Sequence, residues 1–378
     1  MTNLPVLFGY EASNIGNSHV PLSLCRHWSE RGMGVRLTVP GAVHGIGYPW
    51  LRTAIKGIRQ KMIYKFGTAA HARGLAEKLF LKHEWQSPVV YLWAGLSLDI
   101  FDAFHELGSH IVMERINCHR RTSWRILEAA AEKWGIPYES NRQEKEAVNE
   151  DRKLQLADAI FCPSPMVRKS MLENGVEESK LFSTSYGWAP ERFPDRSPIE
   201  GTRRRPVFLF AGSICLRKGI PLLLEAWKKA RLDAELVLCG NIAPEIREHL
   251  PAIESYPNVR HVAYTHDMGL LYRNADVFVF PSLEEGGPMV TYEAMAHGLP
   301  CLVTAMGGGA AIPDGSFGTV LPEMDVDAWA DAMTSMAADP DLRAKAGMRA
   351  RQRAEQFAWK NVADQRAMLL KQRYPLLW

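Results

Sequence analysis

The sequence predicts an α/β protein of two domains, each a sheet covered by helices. Three observations predict it. The 378 residues exceed what one compact core usually holds. Short apolar runs ending in glycine-bearing loops are followed by amphipathic stretches, the order strand, turn, helix. Between residues 190 and 206 that pattern stops. Pro190, Pro194, Pro198 and Pro206, Gly201 and the run Arg203 to Arg205 carry no apolar periodicity and read as a linker.

Composition narrows the class. Hydrophobic residues make up 47% and charged residues 23%, as in a globular soluble chain. A net charge of +3 gives no reason to expect nucleic acid. No stretch approaches the roughly 18 uninterrupted apolar residues of a membrane span. The start, MTNLPVLFGYEAS, lacks the basic and apolar regions of a signal peptide. Six cysteines are scattered without a C-x-x-C pair, so a reduced cytoplasmic chain without a zinc site is expected.

Pro5 to Tyr10 reads as the first strand. A loop containing Gly16 follows, then a helix from about Val20 to Arg31 and a strand at Val35 to Val39. The loop is not G-x-G-x-x-G, and Pro40-Gly41 stands where a dinucleotide site needs an acid, so a nicotinamide cofactor is poorly supported. Gly16 suits either a plain turn or a backbone that approaches a ligand. Pro88 to Trp93 and Ser109 to Glu114 read as strands. The second runs into a basic loop with His119, Arg120 and Arg121. Residues 128 to 155 read as exposed helix, and Leu156 to Ser164 and Leu181 to Trp188 as further strand regions.

Residues 50 to 83 hold eight Lys or Arg against one acid, Glu77, interleaved with Trp50, Ile55, Ile58, Met62 and Tyr64. The plain reading is a solvated basic face over a core-facing stripe. The other is a surface helix lying on an anionic membrane.

The second unit opens with the strand Pro206 to Ala211 and a loop ending Arg217-Lys218-Gly219. Its helix, Ile220 to Ala230, turns Leu222, Leu223, Ala226 and Trp227 inward. Beside a glycine at a strand end, Arg217 supplies a fork and Lys218 a point charge, a pair suited to a diphosphate. Strands at Glu235 to Gly240 and Asn258 to Tyr264 follow. The apolar run Ala275 to Pro281 then leads into SLEEGGPMVTYEAMAHGLP, a strand, glycine turn and helix. That order puts the turn at a strand's carboxyl end and aims helix amides at it, as phosphate requires. Glu285 and Glu293 frame the turn, and carboxylates accept hydroxyl donors well. Phosphate with hydroxyls at both ends describes a nucleotide sugar. Past Pro300 to Thr304, the triple glycine Gly307 to Gly309 reads as a flexible turn that either faces the diphosphate or simply turns the chain, with a short strand at Gly318 to Leu321 and helix from Val326 on.

The block from Glu285 to Glu293 resembles the E-x7-E signature of family 4 (group 1) retaining glycosyltransferases. The run from Leu156 to Phe193 resembles the end of that family's N-terminal domain. The resemblance implies a GT-B fold, two Rossmann-like α/β/α domains facing across a cleft. Residues 1–195 would form the acceptor side, 196–358 the donor side, and 359–378 a helix returning to the first domain. It implies retaining transfer of a hexosyl residue from a UDP- or GDP-linked sugar to a glycan or lipid-linked acceptor, as in cell-surface polysaccharide synthesis, with no metal or other cofactor. Glu285 would hold the sugar hydroxyls and Glu293 the ribose. Gly286 and Gly287 would admit the donor, Met289 and Val290 would offer amides, and Tyr264 to His266 would seat the base. His119 would lie near the transferred sugar and Lys218, in the matching Lys-Gly, at the phosphates. Ser213 stands where the family has an early loop arginine, and only Gly16 stands where it often has a glycine pair. Those two departures leave a non-catalytic nucleotide-sugar binding subunit as the alternative. Family members with lipid-linked acceptors commonly dock their first domain on a membrane, which adds to the second reading of residues 50 to 83.

Overall fold

A computed structural model describes residues 3–13, 16–138, 143–196, 205–308, 310–312 and 317–375. The chain forms two parallel sheets. The first has seven strands: β1 (Leu4–Leu7), β2 (Val35–Val39), β3 (Leu51–Thr53), β4 (Val89–Trp93), β5 (His110–Glu114), β6 (Ala159–Cys162) and β7 (Leu181–Ser183). Their spatial order is β3-β2-β1-β4-β5-β6-β7. The second has six: β8 (Val207–Ala211), β9 (Glu235–Cys239), β10 (Val259–Val262), β11 (Val277–Phe280), β12 (Cys301–Val303) and β13 (Gly318–Val320). Their order, β10-β9-β8-β11-β12-β13, repeats that of the first sheet.

Helices on both faces explain the composition of the strands. β4, β8 and β11 are buried at every residue, so both sides of each must be apolar and no alternation survives. The order also fixes where a ligand can sit. Each sheet is wound outward in both directions from one central pair, β1 with β4 and β8 with β11. The loops leaving those pairs diverge and open a crevice at the carboxyl edge.

The helix Trp359–Arg373 crosses back and packs on the first half. Trp28 Nε1 donates to the Ala363 carbonyl at 2.8 Å, and Arg366 reaches Glu114 at the end of β5. Beside it runs the other connection. Trp188 N donates to Phe357 O at 2.9 Å and Trp359 N returns a bond to Trp188 O at 3.0 Å. Residues 197–204 of the expected linker lie outside the described residues.

Residues 50 to 83 differ from expectation in detail. They contain the edge strand β3 and two helices, Gly57–Phe66 and Ala69–Glu84, separated where the Thr68 hydroxyl caps the second. The core-facing stripe belongs to the second helix, through Ala72, Ala76 and Phe80. On the first, Met62 and Tyr64 are exposed. A cavity of about 560 Å³ between the two has an apolar floor of Ile55, Ile63 and Leu79 and a rim of Lys56, Arg59, Lys78 and Lys82. Among the described residues no helix is long and apolar enough to cross a membrane.

Candidate active site

The central pair β8 and β11 sends two loops to the same place. Gly219 closes the first with a left-handed φ of 68°, and a Cβ there would lie 2.1 Å from the Pro281 carbonyl oxygen. Only glycine allows that approach. The contact is sealed by Leu283 N donating to Arg217 O at 2.9 Å. Arg217, Lys218, Glu284 and Glu285 are thereby gathered into one cluster.

Lys218 is buried under the Phe280 ring, with Nζ 5.0 Å from its centroid, and ion-pairs with Glu285. Burial, with the neighbouring Arg217 charge second, pulls its ammonium down to about 7. The Glu285 carboxylate in contact opposes this and favours the charged form. Arg217 Nη1 donates to Glu284 O at 3.0 Å and to Glu284 Oε2 at 3.3 Å, and stands 3.7 Å from Glu285 Oε2. Both expected phosphate cations are therefore held by carboxylates.

The helix Met289–Ala296 begins behind Pro288 without a side-chain cap, so the amides of its first turn, Met289 and Val290 included, are paired by no capping side chain. One turn on, Glu293 is buried. Its Oε2 accepts from the Tyr272 hydroxyl at 2.9 Å and its Oε1 is 3.6 Å from Arg192 Nη1. Burial raises its carboxyl above the ordinary range, and Arg192 and then the Tyr272 hydroxyl counter the rise.

Tyr264, Thr265 and His266 line a cavity of about 520 Å³, with Arg192 and, from the first half, His19 and Arg26. Tyr264 is 60% exposed and meets the His266 ring edge-on at 4.9 Å. The cavity therefore has walls from both halves and reaches Glu293 through Arg192.

Three expectations are corrected. His119 does not face the cleft. Its side chain is wholly buried as the cap of the helix Arg120–Trp134, with Nδ1 accepting from Arg121 N at 3.3 Å and Nε2 3.0 Å from Asp151. A ring enclosed and bonded at both nitrogens has no face left for a sugar. Gly286 and Gly287 admit the other half of the protein: a Cβ on Gly286 would lie 1.5 Å from the Ile116 carbonyl oxygen, and one on Gly287 3.0 Å from the Tyr186 ring. The triple glycine is no open turn. Gly307 and Gly308 are buried in the short helix Ala305–Gly308, while Gly309 lies outside the described residues. Gly16 has a left-handed φ of 57° with open space around it, the geometry of a turn at the end of the β1 loop.

Three residues of the site were not singled out in the sequence. Glu284, adjacent to Glu285, was visible as an acidic doublet. It is buried and accepts from Asn117 Nδ2 at 3.4 Å and Cys118 Sγ at 3.3 Å across the halves, as well as from Arg217. Tyr272 and Arg192 sit in unremarkable sequence, and only the fold brings them to Glu293.

A family described as glycosyl transferases group 1 matches residues 205–339, the segment that carries the cluster. Alpha-maltose-1-phosphate synthase of Mycolicibacterium smegmatis is 29% identical over 241 residues, 56% of this chain. The matched part spans 62% of that relative's length. Among solved structures, sucrose-phosphate synthase from Thermosynechococcus elongatus superposes with a TM-score of 0.74 at 18% identity over 100% of both chains. HepE from Anabaena, solved with UDP and glucose, gives 0.66 at 13% identity over 98% of this chain and 100% of its own. Two like-ordered parallel sheets and the superpositions give the chain a GT-B fold, and residues 205–339, which carry the cation–carboxylate cluster at the second switch point, match the group 1 glycosyl transferases.

Proposed function

We propose that the protein is a retaining glycosyltransferase that moves a hexosyl residue from a nucleoside diphosphate sugar to a glycan or lipid-linked acceptor. The observation that carries the reading is the grouping of Arg217, Lys218, Glu285 and the uncapped amides at Met289 and Val290, with Glu293 one helical turn beyond. That the HepE structure holds UDP and glucose on the same fold supports a nucleotide donor.

The chemistry follows from charge. The bond between the anomeric carbon and the β-phosphate oxygen breaks, and its electron pair leaves with the nucleoside diphosphate. An acceptor hydroxyl forms the new bond to that carbon, and its proton goes to the departing diphosphate or to solvent. Stabilising the departing negative charge is the largest task, which Arg217, Lys218 and the helix amides perform without a metal. In the free protein these cations hold Glu284 and Glu285. The incoming diphosphate takes them over, and Glu285 is released to accept sugar hydroxyls. Glu293 takes the ribose, and Tyr264 to His266 take the base at the wall of the 520 Å³ cavity. The acceptor sits on residues 1–195 and the donor on 196–358.

Residues 50 to 83 supply an anionic-surface contact on the cytoplasmic face. The support is the exposed Met62 and Tyr64 beside the Lys56, Arg59, Lys78 and Lys82 rim. Sedimentation with anionic vesicles at low salt is the check, and protein left in the supernatant overturns this contact. The decisive test of the activity is release of nucleoside diphosphate from a panel of UDP-, GDP- and ADP-sugars by wild type and Glu285→Gln. Donor binding without transfer or hydrolysis across an acceptor panel would favour a non-catalytic nucleotide-sugar binding subunit instead.

A further inference from the structure

Glu293 is not free to take any orientation. The helix Met268–Arg273 sends Tyr272 to its Oε2, and the segment joining the two halves sends Arg192 towards its Oε1. Both supports are themselves fixed. Phe193, next in sequence to Arg192, packs edge-on against Tyr272 at 6.0 Å and against His297 at 5.0 Å. The His297 ring lies over Tyr272 at 4.8 Å and its Nδ1–H donates to the Glu293 carbonyl at 2.7 Å. The result is an aromatic box, Phe193, Tyr272 and His297, through which the joining segment is docked against the helix that bears Glu293.

The geometry points to Arg192 and Tyr272 as positioning residues that keep Glu293 ionised and aimed for the ribose hydroxyls of the donor. The inference rests on the donor-site reading given above. Tyr272 uses one carboxylate oxygen and so fixes the side-chain rotamer. Arg192, at 3.6 Å, is near enough to hold the charge yet leaves the lone pairs of Oε1 for a hydroxyl donor. Among the described residues the charged or titratable groups facing this carboxylate are Arg192 and Tyr272, with His297 on the main-chain side of the same helix. Burial pushes the other way and favours the protonated acid, which would offer a hydrogen where the ribose also offers one. Arg192 also lines the cavity whose other walls carry Tyr264 and His19, so the joining segment forms part of the nucleotide site.

The test is calorimetric titration with UDP and GDP between pH 5.5 and 8.5 on wild type, Arg192→Met, Arg192→Lys and Tyr272→Phe. The Arg192 side chain is 36% exposed, so its variants are expected to fold. The wild-type profile is the reference, because Lys218 and the diphosphate itself titrate in this range. Relative to wild type, Arg192→Met is expected to weaken progressively as pH falls, by up to about tenfold per pH unit for one proton taken up, and Arg192→Lys to restore most of the wild-type profile. Tyr272→Phe is expected to weaken binding at every pH, with a smaller slope of the same sign relative to wild type. An Arg192→Met profile parallel to that of wild type, whether affinity is unchanged or uniformly lower, overturns the inference. The underlying reading fails separately. Glu293→Gln should abolish the preference for a nucleoside diphosphate over its 2′,3′-dideoxy analogue. If that preference persists, Glu293 is not the ribose group and both statements fall.

Discussion

The Arg366 guanidinium lies 2.5 Å from the Glu114 carboxylate, and both side chains are completely buried. Arg366 also donates to Thr184 Oγ1 and to the Ser185 carbonyl, each at 3.0 Å, and Tyr91 donates its hydroxyl to the same Glu114. The helix Trp359–Arg373 is thus bonded to two strand ends of the first sheet, those of β5 and β7, and to Tyr91 in the middle of β4. Breaking one partner leaves an unpaired buried charge. Arg366→Met or Glu114→Gln is expected to lower unfolding free energy by about 3–5 kcal/mol. In urea titrations the double variant should lose clearly less than the sum of the singles.

Gly286→Ala tests the contact between the halves. The added Cβ has nowhere to go against the Ile116 carbonyl oxygen, and backbone on both sides must shift. A melting temperature several degrees lower is expected, consistent with a cost of roughly 1–3 kcal/mol, together with loss of transfer activity. The neighbouring Gly287→Ala, whose Cβ meets the edge of a ring, should lose less.

Lys218 and Glu285 neutralise one another in a buried position, so the two variants should differ in kind. Lys218→Met removes a cation from the departing diphosphate, and kcat is expected to fall by about 10²–10³-fold. Glu285→Gln leaves Lys218 without its counter-charge, and burial then favours the neutral amine. With Lys218 already down at about 7 in wild type, the fall in kcat/KM as pH rises should begin at lower pH in Glu285→Gln than in wild type. Steady-state rates between pH 6 and 8.5 check both.

His19 and His297 give stability a pH dependence of known sign. Burial lowers both to about 4 from an ordinary 6.5, with nearby arginines adding to it. The unfolded chain then takes up the proton first. The contribution of each is whole above pH 6.5 and declines as pH falls towards 4, by up to ~3 kcal/mol per residue. Replacing His297 with Gln should flatten part of that decline in denaturation curves recorded at pH 4.5 and 7.

Much of the fold was legible because parallel strands buried on both faces leave uninterrupted apolar runs. β8, β9 and β11 stand out for that reason. The edge strand β3 was not legible, since its three residues are only half buried and lie among basic residues. The cluster at Arg217, Lys218 and Glu285 was readable from loops at strand ends. His119 misled because a histidine one step past a strand looks alike whether it faces a cleft or caps the next helix. Its carboxylate partner, Asp151, lies on a different helix. Arg192 and Tyr272 were invisible for the converse reason. Nothing in their surroundings marks them, and their partner comes from 101 and 21 positions further on.

The returning helix sets an order of events during synthesis. The first sheet emerges early, but Trp28 and Glu114 wait for partners encoded beyond residue 358. The second sheet, whose strands are contiguous in sequence, can close as soon as residue 320 has cleared the ribosome. The half that is translated first is therefore the half that finishes last. Until then it exposes the surface the last helix will cover.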